Sequence, residues 1–402
     1  MKIFFCCFVL LVTISASPIS DLYETAKSSL ESNIVEMKSG SSYVRAGSHV
    51  FGGLWTRDFA FCVPALLKLG HTQTVKEHLE IILSNIRSKD NLVARLFDHI
   101  PLAERYALSP LHIFPTVKEP LKSYYVGGNG GEKAIDGNAL VVISTLQYVL
   151  NTNDSTFLLR HRASLESAMR FYIPHLQEGL VTQPEYSDWA DNAKRPGKTF
   201  LTNLFVWKAL ELGKSFELFK NFPISHVQMA GLIKSTFVQN SLIYSVENFN
   251  FVGMDNYFFS YFFNFFTNLE QSTLYATLSS HGLWNCSEGT ASIPGCASFP
   301  PYPKNWISSA TKAIGLRHYS DNLYHSFSIA WASYVALKAG DKTMAYNILT
   351  EMNRVVRRDG VVHEVFHDNK ELKVFNAIVF KSEHPFSWGS ATLLLALLEF
   401  GV

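Results

Sequence analysis

Apolar residues recur at helical spacing through most of the chain. Val142, Ile143, Leu146, Val149 and Leu150 share one helical face, as do Leu201, Leu204, Phe205, Ala209 and Leu212. Phe327, Ala330, Trp331, Tyr334 and Leu337 form a third stripe, and Met344, Ile348, Met352 and Val355 a fourth. Between these last two lies Lys338-Ala339-Gly340-Asp341. Gly340 suits a helix C-cap and Asp341 an N-cap, which predicts a tight helix-to-helix turn. Leu69-Gly70-His71-Thr72 repeats the device with Thr72 as the expected cap, and Asn151 to Ser155 reads as a third joint. Ala391 to Leu398 is apolar on every side except for Thr392, and a helix apolar all round belongs to an inner layer. Strand signals are few, around Val361 to Phe366 and Leu372 to Val379.

The rhythm is helix, short turn, helix, longer loop. It predicts an all-α fold, with residues 18–402 as a single domain of helical hairpins. A mean helix length of ~12 residues leaves room for about a dozen helices. Two concentric rings of six, an (α/α)6 barrel, is a natural closure. Periodicity alone does not separate it from an open helical solenoid.

Composition narrows the function classes. The chain has 402 residues, 47% of them hydrophobic, which excludes wholesale disorder. Its 35 basic and 34 acidic residues leave a net charge of +1, with no footprint for nucleic acid or an anionic membrane. Lys2, the apolar run Ile3 to Ile14 and the small residues Ser15, Ala16 and Ser17 have the layout of a secretory signal peptide over 1–17. The run is too short to span a bilayer comfortably. The expectation is a secreted or secretory-pathway protein, cut between Ser15 and Asp21. Cys286 and Cys296 then suit a disulfide, leaving Cys62 as a buried free thiol. No Cys/His set has zinc spacing, so no metal or cofactor is expected. Asn153-Asp154-Ser155 and Asn285-Cys286-Ser287 are glycosylation sequons.

Unusual residues gather in the longer loops. Gly52-Gly53-Leu54-Trp55-Thr56-Arg57-Asp58 places an aromatic, a cation and a carboxylate after two glycines. That suits sugar binding, or equally a capped helix start with an ion pair. Asp188, Trp189 and Asp191 lie in a loop feeding a helix, where capping is the bland reading of Asp191. Glu364 sits among apolar residues, where burial would raise its pKa, unless it is an exposed Glu on a short strand. Glu383, ahead of Trp388, is a rival acid.

Four strings carry a resemblance. GLWTRDFAF resembles the sugar-binding motif of the six-hairpin glycosidases. SDWADNAKRPGKTFLTNLFVWKAL resembles the loop and helix that carry the general acid there. DGVVHEVF and then FSWGSATLLLAL resemble the segment with the general base and the closing inner helix. The superfamily includes trehalases, glucoamylases, processing alpha-glucosidases, neutral invertases and debranching-type glucosidases. The resemblance implies a carbohydrate substrate, Asp191 as acid, Glu364 as base and inversion at the anomeric carbon. It implies Arg57, Asp58 and Asp188 at the sugar hydroxyls, with Trp55, Trp189 and Trp388 as walls. Trehalases place the acidic residue directly after the Trp, whereas here Ala190 intervenes, so Asp188 and Asp191 compete for the acid role. Two other classes stay open. One is an epimerase or isomerase using His318, His325, His363 or His384; the other is a non-catalytic sugar-binding protein.

Overall fold

The computed structural model describes residues 19–127, 133–280, 298–299, 301–313, 315–317, 319–320, 323–367, 371–377 and 380–402. The signal-like segment 1–17, Cys286, Cys296, the sequon at Asn285 and His318 lie outside the described residues.

The described chain is mainly helical. Its helices are α1 (Ser20–Glu31), α2 (Thr56–Lys68), α3 (Thr72–Leu83), α4 (Leu102–Leu108), α5 (Asp136–Thr152), α6 (Ser155–Arg170), α7 (Phe200–Lys214), α8 (His226–Phe237), α9 (Met254–Phe262), α10 (Asn268–Ser280), α11 (Ser309–Ala313), α12 (Ser326–Lys338), α13 (Lys342–Asp359) and α14 (Ser387–Phe400). Packing runs from α2 to α5, α7, α9, α12 and α14, and α14 returns to α2. Against this set lie α1 on α14, α3 on α5, α6 on α5, α8 on α7, α10 on α12 and α13 on α12.

The sequence explains which helices lie inside. Helix α12 is buried continuously from Ser326 to Ala336, and α14 from Ser387 to Leu397. Two hydroxyls of α14 are satisfied by the helix's own backbone: Ser390 donates to the Phe386 carbonyl (2.7 Å) and Thr392 to the Trp388 carbonyl (2.9 Å). Helix α13 instead buries one stripe that includes Ile348, Leu349, Met352, Val355 and Val356, so one side can face water. Cys62 is a buried free thiol in α2.

The tight joints form as read, with one correction. Gly340 takes φ +94°, and Asp341 accepts the Met344 N–H at 3.0 Å. Asp154 caps α6 through the Phe157 N–H (2.9 Å), which leaves Asn153 exposed at the turn. Thr72 is not a cap. It opens α3, His71 holds the cap position without a capping side-chain bond, and the His71 imidazole meets Glu31 at 2.9 Å instead.

Strands are more numerous than the alternation predicts. Val238–Gln239, Leu242–Val246, Phe249–Gly253 and Ser298–Phe299 form a four-stranded antiparallel sheet. Leu54–Trp55, Leu96–Asp98 and Lys122–Tyr124 form another sheet, and Tyr324–His325 pairs with Val365–Phe366. Pieces of two to five residues are too short for a period-2 signal to rise above helical background.

Asp341 also accepts the Tyr275 hydroxyl at 2.8 Å, tying α13 to α10. Asp341→Ala should therefore destabilise the protein by about 1–2 kcal/mol. Urea unfolding measures this, and an unchanged midpoint would show that neither bond contributes.

Candidate active site

One cavity of about 240 Å³ opens where several helices begin. Trp55 and Asp58 come from the start of α2, His325 and Phe327 from the start of α12, and Phe386 and Trp388 from the start of α14. The loop before α7 adds Trp189, Asp191 and Asn192, and the loop after α13 adds Glu364. Trp388 stacks on Phe327 with centroids 3.9 Å apart and planes 6° from parallel. Trp189 stands edge-on to both rings, and its indole N–H donates to Asp255 at 2.6 Å. The aromatic wall is therefore fixed by its own packing and by one buried hydrogen bond.

Among the described residues, three carboxyl groups face this cavity: Asp58, Asp191 and Glu364. Burial raises Asp58 to about 6, with Asp191 adding to the rise while Arg57 and Arg95 oppose it. Asp191 accepts from Arg57 Nη1 at 3.4 Å and closely from Arg95. Arg95 itself lies 5.0 Å over the Trp55 ring. Glu364 is only 2% exposed, so it is not an exposed strand residue. Burial first, and then Glu383, push its pKa well above the usual glutamate value. Its Oε1 accepts from the Tyr319 hydroxyl, and its Oε2 from the Glu383 backbone N–H at 3.3 Å.

Other expected site residues are placed differently. Arg57 borders the cavity, but its fork is bidentate to Asp136 at 2.6 and 3.1 Å. Asp188 is buried outside the cavity lining, and Asp191 caps no helix, since α7 begins only at Phe200. Asp188 binds Arg195 at 2.7 Å, the Gln183 side chain at 2.8 Å and the Ala190 N–H at 3.0 Å. Glu383 also lies outside the lining. It accepts the N–H groups of His49 (2.7 Å) and Phe51 (3.0 Å), and a Cβ on Gly47 would come within 2.3 Å of its Oε2. It anchors the loop that delivers Phe51 to the cavity.

Among the candidate histidines that are described, His325 alone borders the cavity. Burial pushes it down to about 3, so it is neutral near pH 7. His363 and His384 pack at 4.6 Å, and His384 and His49 at 4.4 Å, away from the lining.

Sequence reasoning missed Arg95, Tyr106, Asn192 and Tyr319. Asn192 adjoins Asp191 in a segment already singled out. Arg95 and Tyr319 stand in stretches with no motif, and only the fold brings them in. Among the described residues, no cluster of three or more His, Cys, Asp or Glu is placed to hold a metal ion, and no helix is long and apolar enough to cross a membrane.

No protein-family model matches the chain, and no curated protein sequence is similar to it. The likeness to solved structures is one of fold. A wild-type glycosidase superimposes with a TM-score of 0.61 at 12% identity, over 95% of this chain and 98% of that one. A rhamnosidase from Klebsiella oxytoca with rhamnose bound gives 0.64 at 12% identity, over 95% of this chain and 64% of that one. A metal-independent alpha mannosidase from Streptococcus pneumoniae, in a complex with alpha-1,6-mannobiose, gives 0.59 at 13% identity, over 95% and 94%.

Glu383 yields a pH prediction. Burial, opposed by the loop N–H groups, raises it from 4.5 to about 7. Between those values the folded chain keeps a proton that the unfolded chain has released. This group's favourable contribution is therefore full at low pH and is lost as pH rises through about 7. Glu383→Gln should gain stability relative to the wild type between pH 5 and pH 8. Urea unfolding of both proteins at the two pH values checks this, and a constant gap would count against it.

Proposed function

We propose that this chain is a secreted glycoside hydrolase that removes a terminal sugar from a glucoside or oligosaccharide with inversion. The observation that carries the reading is the cavity itself. Asp191 and Glu364, from loops far apart in sequence, both face one aromatic-walled space of about 240 Å³. That volume suits one sugar ring better than a run of them. The closed order of helix packing supports an (α/α)6 barrel, the architecture the six-hairpin resemblance implies. The fold neighbours named as glycosidases point the same way.

Hydrolysis of a glycosidic bond needs one carboxyl group to protonate the leaving oxygen and another to take a proton from water. Glu364 takes the second role by its place in the base-bearing segment, and the donors on both of its oxygens favour the carboxylate against the burial that raises its pKa. Asp191 takes the first role by its place in the acid-bearing loop. Asp58 is a second candidate donor, favoured by its proton affinity near 6 and by the two arginines already paired with Asp191. An isomerase acting through two histidines is less well supported, since only His325 reaches the lining among the described residues and it is neutral.

A panel of glycosides and free sugars tests the reading. Released monosaccharide of inverted anomeric form is expected by proton NMR. Interconverted free sugar would mean an isomerase, and binding alone a lectin-like role. Asp191→Asn and Glu364→Gln should each lower kcat by about 10²–10⁴-fold. A glycosyl fluoride needs no proton donor, so it should restore turnover to the acid variant and not to Glu364→Gln. If the fluoride rescues Asp58→Asn and leaves Asp191→Asn unrescued, Asp58 is the donor. If none of the three carboxyl groups matters, the hydrolase reading fails. Asp188→Asn should instead lower stability, because it breaks a buried ion pair with Arg195.

A further inference from the structure

We propose that Tyr319 is a positioning residue that favours the ionised, water-activating form of Glu364 against its burial, with the Glu383 backbone N–H as its counterpart on the other oxygen. The inference rests on Glu364 being the base. It answers a difficulty that the site itself poses: a base must be charged, yet Glu364 is placed where charge is costly.

The surroundings of Glu364 oppose ionisation from several sides. Its side chain is buried between the 382–385 segment and the cavity. Glu383 faces it from that segment and Asp58 from the start of α2, and both disfavour a further negative charge. The Tyr106 phenol of α4 lies close enough to feel Glu364 and Asp191 together. His363, its chain neighbour, is pushed down to about 4 by burial and is neutral at working pH. What favours the carboxylate is hydrogen bonding: Tyr319 on Oε1 and the Glu383 N–H on Oε2. Donors on both oxygens stabilise the charged form of a carboxyl group.

Tyr319 is built to donate. Burial, reinforced by Glu364, raises its phenol well above the ordinary tyrosine value, so the hydroxyl keeps its proton. Its ring is gripped edge-on by His325 at 4.9 Å and by Phe380 at 5.4 Å, both lining residues. The base is fixed from behind as well. The Glu364 N–H donates to the Glu383 carbonyl at 2.9 Å, and the Glu364 carbonyl accepts the Ser326 N–H at 2.9 Å, at the start of α12. Backbone and side chain thus leave the carboxylate one orientation, toward the cavity.

The test is Tyr319→Phe, which keeps the ring and removes the donor. Carbon-13 NMR of labelled glutamate carboxyls, with Glu364 assigned through Glu364→Gln, reads the base directly and without substrate. The Glu364 titration should move up by about 1–2 pH units in the variant. On a cleaved glycoside, kcat should fall about tenfold or more with KM within about twofold. The acid limb of the kcat/KM profile should move to higher pH by the same interval as the titration. An unmoved titration overturns the proposal, as does a rise in KM alone, which would place Tyr319 on the sugar. If the wild type cleaves no glycoside, the hydrolase reading fails, while the titration still decides the hydrogen-bond role. If Tyr319→Phe does not fold, 3-fluorotyrosine at this position supplies a stronger donor. The Glu364 titration should then move down, and no movement would overturn the proposal.

Discussion

The guanidinium of Arg57 is the point on which the site depends. It is buried at the start of α2, and a buried cation without a partner is costly. It satisfies that demand with Asp136 at the start of α5 and with Asp191 in the loop before α7. One side chain therefore sets the spacing of two neighbouring helix ends and a cavity loop. Arg195 repeats the arrangement a little further along, between Asp188 of the same loop and Asp255 at the start of α9. The loop is held at both ends by arginines, with Trp189 between them. Removing one partner of such a pair strands a buried charge, which couples the fold to the site.

The cavity divides its work between two kinds of residue. Aromatic rings supply walls whose positions follow from stacking, as with Trp388 on Phe327. Carboxyl groups supply the chemistry, and each sits in a different electrostatic setting. Asp191 lies between cations, Asp58 in partial burial beside Arg57, and Glu364 in deep burial with two donors. Distinct settings for chemically similar groups allow one to hold a proton while another releases it. The helix hairpins provide the rigidity. Residues at the first turns of α2, α12 and α14 are placed by helices that are themselves buried, so little freedom remains at the tips.

Much of this framework was legible along the chain, because helical burial is a local, repetitive signal. The stripes at Val142, Leu204, Phe327 and Ile348 each lie in a helix, and the apolar segment Ala391 to Leu398 lies inside. The Gly340–Asp341 turn was readable because each residue acts through its own backbone or its nearest neighbours. Apart from Val365–Phe366, which lies in a segment read as a strand, the short strands escaped for the converse reason. A strand such as Leu54–Trp55 exists only because Leu96–Asp98 lies beside it.

Sequence by itself determined that the chain is chiefly helical, that α14 is an inner element, and that the loops near Trp55, Trp189 and Glu364 hold the unusual side chains. It could not rank those side chains. Asp188 and Asp191 stand in one loop, and Glu364 and Glu383 each lie a few positions from a phenylalanine, Phe366 for the one and Phe386 for the other. Tertiary structure decided that Asp188 and Glu383 hold the scaffold while Asp191 and Glu364 face the cavity. The reason is that a carboxyl group's role depends on its partners and its solvent. Here the partners of the others come from remote segments, Arg95 for Asp191, the 47–51 loop for Glu383 and Tyr319 for Glu364, whereas Asp188 is held by Gln183 and Arg195 close by in the chain. No local pattern encodes which of them will meet.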